Sequence, residues 1–247
     1  MQSPLNLIVD VGNSFVKIAV FQENHILTKK IIRQDQLLTT FGDLQLAHPL
    51  MTRGIISSVG KILPKVFQEL QDKVDFFILD HTAKLPFQNL YSTPTTLGID
   101  RIALVAAAAV EYPKANTLII DAGTCITYDF KNAKNEYLGG AIAPGIRLRY
   151  KSLNDFTANL PLLTQQNPQE IVGNSTDNAI HSGVIYGVQH EIDGIISEYC
   201  HTYPDLIVIL SGGDAEFLSK RLKNTIFANS DFLLEGLNHL LAFNKSQ

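Results

Sequence analysis

Leu5-Asn6-Leu7-Ile8-Val9-Asp10-Val11-Gly12-Asn13-Ser14 and Asn116-Thr117-Leu118-Ile119-Ile120-Asp121-Ala122-Gly123-Thr124 are two versions of one pattern, an apolar strand ending in Asp-x-Gly. In each, a run of strand-favouring residues stops at a turn signal and a second strand follows. Val16 to Phe21 alternates Val16, Ile18 and Val20 on one face, and Ile126-Thr127-Tyr128-Asp129-Phe130 alternates in the same way. Ile26 to Ile32 and Tyr137 to Ile142 supply a third strand to each copy. Asp10 and Asp121 stand 111 positions apart. Such an internal duplication predicts two related halves, 1–114 and 115–247, meeting near Tyr112 to Asn116.

Outside these hairpins, helical and strand-like stretches alternate, as in an α/β unit. A helix near Gln34 to Gly42, a strand Arg53 to Ser58, a helix Pro64 to Gln71 and a strand Asp75 to Leu79 complete the first half's sheet. Tyr91 to Leu97 carries Pro94 and reads as a loop, and Asp100 opens an Ala-rich helix that stops near Pro113. In the second half Asn154 to Val172, with Pro161 and Pro168, is irregular. Asn174 or Ser175 then caps a long helix whose apolar stripe is Ile180, Val184, Val188, Ile192 and Ile195 or Ile196. On the neighbouring face Ala179, Gly183 and Gly187 recur every four residues. Each interior Gly costs about 1 kcal/mol relative to Ala, so this face predicts close approach of another backbone, from the other domain or a second subunit. A strand Leu206 to Leu210 runs into Ser211-Gly212-Gly213-Asp214, and two amphipathic helices close the chain.

Composition narrows the function classes. The chain has 247 residues, 45% hydrophobic and 18% charged, with 20 Lys+Arg against 24 Asp+Glu for a net charge of −4. That content excludes a disordered chain and lacks the basic face that nucleic acid requires. Cys125 and Cys200 are too few for a disulfide framework and too far apart for a zinc or redox pair. The longest apolar run, Ile102 to Val110, is about half a membrane span. These features predict a soluble, cytoplasmic protein that binds neither membrane nor nucleic acid.

Four constellations can carry chemistry. In the first, Gly12 lets the backbone approach a ligand closely, while Asn13, Ser14 and Lys17 offer donors to phosphate oxygens. Asp10 adds a carboxylate able to hold a hydrated divalent cation. Asp121-Ala122-Gly123-Thr124 repeats that chemistry, and two such hairpins can clasp a polyphosphate. Ser211-Gly212-Gly213 leaves room for a planar ring or ribose against the backbone, or is a plain strand-to-helix turn; Gly139-Gly140-Ala141-Ile142-Ala143-Pro144-Gly145 reads as another glycine turn. In Gly98-Ile99-Asp100-Arg101, Asp100 could take a proton from an attacking hydroxyl and Arg101 could grip a carboxylate in a bidentate fork. The plainer alternative is a dipole complement at a helix start followed by a surface arginine.

Taken together, these residues resemble the type III pantothenate kinases. The resemblance rests on Asp10 to Ser14 with Lys17, Tyr91-x-x-Pro94-x-x-Leu97-Gly98-Ile99-Asp100-Arg101, Asp121 to Thr124 with Thr127, Gly139-Gly140-x-Ile142-x-Pro144-Gly145, Gly173-Asn174-Ser175-Thr176 with Ala179 and Gly183, and Ser211-Gly212-Gly213. In order and spacing these motifs cover nearly the whole chain. Two departures are Ser14, where Thr is common, and Cys125, where Ala is usual and a thiol fits a small buried site. Asn154 to Val172 matches no motif.

The resemblance implies an α/β fold of two duplicated ribonuclease H-like, actin-like ATPase domains, each a mixed five-stranded sheet flanked by helices. It implies ATP-dependent phosphorylation of the pantothenate hydroxyl, the first step of coenzyme A synthesis, by a homodimer. Asp100 would be the general base. Tyr91, Gly98, Ile99, Arg101 and Thr176 would contact pantothenate. ATP would meet Asp10, Val11, Gly12, Asn13, Ser14, Phe15, Val16, Lys17 and Thr124, with Mg2+ accompanying it. Asp121 would hold a monovalent cation, K+ or NH4+. The alternatives are another small-molecule phosphotransferase or phosphohydrolase of the same superfamily, since the Asp-x-Gly hairpins recognise ATP rather than the acceptor, and a non-catalytic ATP-binding regulator.

Overall fold

Every residue of β1 (Leu5–Val11) is buried, as befits a strand with neighbours on both edges and packing on both faces. The computed structural model describes residues 4–12, 15–58 and 64–245; Asn13 and Ser14, expected in the phosphate turn, lie outside the described residues. β1 pairs antiparallel with β2 (Val16–Gln22), which pairs antiparallel with β3 (His25–Ile32). On its other edge β1 runs parallel to β4 (Met51–Ser58), and β4 to β5 (Asp75–Ile78). The order is β3-β2-β1-β4-β5. α1 (Leu37–Ala47) and α2 (Pro64–Gln71) supply the crossovers that parallel pairing requires. A short strand, β6 (Gln88–Asn89), precedes α3 (Ile99–Glu111).

The second sheet repeats this plan. β7 (Thr117–Ala122) pairs antiparallel with β8 (Cys125–Lys131) and parallel with β10 (Ile207–Ser211). With β9 (Glu136–Pro144) beyond β8, and β11 (Phe227–Ala228) beyond β10, the run β9-β8-β7-β10-β11 follows the order of the first sheet, and β6 pairs parallel with β9 as a sixth strand, one more than the five expected. Between β9 and β10 lie α4 (Ile146–Asp155) and the 27-residue α5 (Thr176–Thr202); α6 (Ala215–Ser219) and α7 (Phe232–Lys245) follow β10.

Contacts divide the chain into two units: Met1–Pro113 with Asn135–Tyr137 and Phe232–Gln247, and Lys114–Lys134 with Leu138–Asp231. The division at 114/115 read from the sequence assigns α7 to the second half, whereas by its contacts α7 belongs with the first. Its buried face of Phe232, Leu233, Leu234, Leu237, Leu240 and Leu241 packs on α3, β1 and β4 and covers one face of their sheet. Burial of five leucines and a phenylalanine at about 1.5–3 kcal/mol each outweighs chain order in deciding where a terminal helix docks.

In the second unit Ile180, Val184, Val188, Ile192 and Ile196 of α5 pack into the core with Leu118, Ile120, Tyr128 and Leu210. Ser175 is the N-cap, its side chain accepting from the Asn178 N–H at 3.2 Å. Ala179, Gly183 and Gly187 are exposed. A Cβ added at Gly183 or Gly187 meets no atom within 4 Å among the described residues. Nothing within the described unit therefore explains the small-residue stripe.

Candidate functional site

Asp10 is the last residue but one of β1, with Lys17 opposite on β2 and Ser57 opposite on β4. Ser57 Oγ donates to Asp10 Oδ1 at 2.7 Å. Asp10 is only 6% exposed. Burial lifts its carboxyl above the ordinary carboxylate range, the Ser57 hydrogen bond and Lys17 draw it down, and the charge of Asp100 pushes it up again. The two carboxylates expected from sequence thus share one electrostatic field in the first unit. After β1 the Gly12 N–H donates to Phe15 O at 3.1 Å, closing the hairpin; Phe15 is exposed and Val11 and Val16 are core residues.

Asp100 sits in the first turn of α3, where a carboxylate favours the helix dipole, and its Oδ1 accepts the Arg101 N–H at 2.9 Å. Gly98 is the N-cap, and a Cβ there would collide with that carboxylate oxygen, so glycine is what lets Asp100 take this position. Arg101 is 4% exposed. Its Nη2 donates to Tyr137 Oη at 2.9 Å, and its guanidinium carbon lies 5.6 Å from the centre of the Tyr91 ring. Tyr91 and Tyr137 stack with centroids 5.9 Å apart. Arg101 is thereby held by two aromatic residues rather than lying on the surface, a cation–π arrangement that strengthens as water is removed. Leu97 O meets His81 Nε2 at 2.8 Å, pinning the segment before Gly98.

In the second unit Asp121 occupies the place in β7 that Asp10 has in β1. Its neighbours are Thr127 on β8 and Ser211 on β10, so the three side chains share one face of the sheet. Thr127 Oγ1 and Ser211 Oγ are buried and have no hydrogen-bond partner among the described residues. Thr124 is exposed at the hairpin tip, where the Gly123 N–H donates to Cys125 O at 2.9 Å and the Gly145 N–H to Thr124 O at 3.0 Å. Gly212 has φ +94° and its missing Cβ would strike the Ala122 backbone, while the Asp214 N–H donates to Ala122 O at 3.0 Å. The Ser211-Gly212-Gly213 turn is thus locked onto the Asp121 turn. Thr176 opens α5 and faces a groove of about 640 Å³ shared with Arg149, Leu153 and Ile180.

Cys125 corrects one expectation: it is exposed, not buried. It starts β8, and in a strand the residue beside the buried Ile126 points to the opposite face. Ser57, Tyr137 and Ser211 were not assigned roles from sequence. Only the pairing register reveals the serines, and only the position of Glu136–Tyr137 against β6 places Tyr137 beside Tyr91.

A five-strand order repeated in both sheets, with an aspartate one residue before the end of β1 and of β7, defines an actin-like ATPase or sugar-kinase fold. Solved structures agree. A chain from Campylobacter jejuni described as a Baf family transcriptional activator superposes with a TM-score of 0.65 at 22% identity, covering 98% of this chain and 100% of that one. A glucokinase from an Antarctic psychrotroph gives 0.52 at 11%, covering 98% and 100%. Sequence comparison is sharper: the family model described as Type III pantothenate kinase matches residues 6–198. A type III pantothenate kinase of Christiangramia forsetii is 49% identical over 98% of this chain and 100% of its own. One from Flavobacterium johnsoniae is 48% identical over 94% and 95%, and one from Bacteroides fragilis 37% over 98% and 100%. The chain belongs to the type III pantothenate kinase family and is a kinase. Among the described residues no helix is long and apolar enough to cross a membrane.

Proposed function

We propose that the protein transfers the γ-phosphoryl group of ATP to the hydroxyl of pantothenate, with Asp100 as the general base, and works as a cytoplasmic homodimer. The observation that carries this reading is the placing of two carboxylates in the first unit, Asp10 at a phosphate-type turn and Asp100 at a helix start beside a caged arginine, near enough that the charge of Asp100 pushes the Asp10 carboxyl up. Phosphoryl transfer asks the protein for position and charge compensation rather than covalent chemistry. Asp100 orients the pantothenate hydroxyl and accepts its proton as the oxygen bonds to phosphorus and ADP departs. Arg101, desolvated and fixed by Tyr91 and Tyr137, meets the pantothenate carboxylate. Lys17 meets phosphate oxygens and offsets the charge that spreads over them in a loose transition state.

The residues around Asp121 fit a monovalent cation such as K+ or NH4+. Two buried hydroxyls without hydrogen-bond partners, Thr127 and Ser211, flank the carboxylate, and unsatisfied buried oxygens of this kind mark the place of an ion or water. Asp121, Thr127 and Ser211 would hold the cation, and Asp10 would hold the Mg2+ that accompanies ATP. Bound there, the cations supply positive charge to the polyphosphate. The exposed Ala179, Gly183 and Gly187 face of α5 supports close packing of a second copy.

The test is Asp100→Asn, which keeps size and polarity and removes the base. A fall in kcat of about 10²–10⁴ with little change in KM for ATP is expected. Near-normal turnover would remove Asp100 from this role.

A further inference from the structure

In the second unit Arg149 of α4 holds two acceptors at once. Its Nε donates to Pro144 O at 2.9 Å and its Nη2 to Glu191 Oε2 at 2.6 Å. The other Glu191 oxygen accepts the Tyr128 hydroxyl at 3.0 Å, whose pKa burial pushes up, so that Tyr128 stays the donor. Glu191 of α5 is thus fixed at both oxygens, by β8 and by α4, and Arg149 passes that constraint to the end of β9. Neither the motifs nor the family resemblance gives Arg149 or Glu191 a role.

What the constraint reaches is the Asp121 hairpin. Gly145, next after Pro144, donates its N–H to Thr124 O at 3.0 Å, and a Cβ there would strike the carbonyl oxygens of Gly123 and Thr124. The Pro144-Gly145 turn therefore lies flat on the hairpin tip, two residues beyond Asp121. The Arg149 N–H donates to Gly145 O at 3.1 Å, so α4 starts from the same point. A pair whose side chains are 21% and 29% exposed adds only modest stability by its charge. Its effect is geometric: a guanidinium is a rigid planar fork, so fixing Nη2 on Glu191 also fixes Nε on Pro144 O, whereas an ammonium has a single nitrogen and does not span both acceptors in this way.

We propose that Arg149 and Glu191 are positioning residues for the Asp121 hairpin: Glu191 holds Arg149, Arg149 holds Pro144 O, and the turn so fixed keeps the Gly145 N–H on Thr124 O. The proposal rests on the reading that a monovalent cation and the ATP phosphates lie at this hairpin. Groups that orient the surroundings of a bound ion change its affinity without touching it. The glycine-rich end of β9, which sequence reads as a turn, then serves as the surface through which α4 and α5 set the hairpin tip.

The experiment compares wild-type protein with Arg149→Lys, Glu191→Gln and, as a control on general loosening, Ile196→Val in the core face of α5. It measures the K+ concentration for half-maximal activity, KM for ATP and for pantothenate, hydrogen exchange at the Gly145 amide, and thermal melting. Arg149→Lys and Glu191→Gln are expected to raise the K+ midpoint and KM for ATP about tenfold, with KM for pantothenate close to wild type. Both should speed Gly145 exchange, which reports local opening. Ile196→Val should lower the melting temperature and leave the K+ midpoint where it was. In a K+-dependent wild type, an unshifted midpoint in both Arg149→Lys and Glu191→Gln would overturn the proposal, and so would an equal shift in Ile196→Val. A wild type indifferent to K+ whose Gly145 exchange still quickens in Arg149→Lys would remove the cation reading and leave the positioning of the hairpin standing.

Discussion

Ser57 Oγ donates a 2.7 Å hydrogen bond to Asp10, whereas Ser211, in the equivalent register position beside Asp121, is buried with its hydroxyl unbonded. Duplication kept the pair and the two halves use it differently. In the first, the serine's hydrogen bond lowers a carboxyl pKa that burial raises. In the second, an oxygen left without a partner costs about 1–3 kcal/mol, a cost that a bound cation would offset.

Ser211→Ala should therefore raise the K+ concentration for half-maximal activity by roughly 2- to 10-fold, the worth of one net polar contact. Ser57→Ala should leave that concentration unchanged and act on the use of ATP with Mg2+. Potassium titrations of both variants decide the matter, and an unshifted midpoint in Ser211→Ala would count against a cation at Asp121.

Arg101→Lys keeps the charge and loses the planar fork and the stack on Tyr91. KM for pantothenate should rise about tenfold or more, with KM for ATP close to normal. Tyr137→Phe, which removes the hydrogen bond to Arg101, should show a smaller effect of the same kind, about 2- to 10-fold in kcat/KM. Equal effects on both substrates would point to a general loss of structure instead.

Lys131 is fully buried with Nζ donating to Ala115 O at 3.0 Å, and burial lowers its pKa from 10.5 to about 8. Between those values the unfolded chain binds the proton and the folded chain does not. Stability from this group therefore rises with pH from about 8 to 10.5, by up to about 3 kcal/mol. The buried Tyr150 and the half-buried Tyr199, whose pKa values desolvation raises, act in the opposite sense. The difference between wild type and Lys131→Met isolates the lysine: in denaturant melts, the wild type should gain on the variant across that window. A constant difference would contradict the shift.

Gly183→Leu places a bulky side chain on the exposed small-residue face of α5. Sedimentation should show dissociation of the proposed dimer, with the monomer's melting temperature little changed, because that Cβ position is open within the described protomer. An intact dimer would remove this face from the interface.

Much of the fold was legible because its signals are local and repeated. Leu5–Asp10 and Asn116–Asp121 are apolar runs stopped by the same turn, and the α5 stripe from Ile180 to Ile196 is a clean helical period. What escaped is non-local or short. α4 (Ile146–Asp155) hides behind Pro144-Gly145, and two-residue strands such as β6 and β11 have no period to read. The docking of α7 on α3 depends on surfaces that exist only after folding. At the site, Asp10, Asp100, Arg101 and Asp121 carry enough chemistry in their motifs to be named from sequence. Ser57 and Ser211 look like any strand-end serines until register sets them beside the two aspartates. Arg101 followed by an apolar helix could as easily lie on the surface; its contacts with Tyr91 and Tyr137 come from distant sequence.

Whether the protein is a cation-dependent pantothenate kinase is decided by a coupled assay of ADP formation. The purified protein is given ATP, Mg2+ and pantothenate, with and without K+, and the phosphorylated product is confirmed by mass spectrometry. ADP and phosphopantothenate should form in equal amounts, in dependence on pantothenate, with a large loss of rate when K+ is omitted. ATP turnover indifferent to pantothenate, or phosphopantothenate formed at the same rate without any monovalent cation, would contradict this reading.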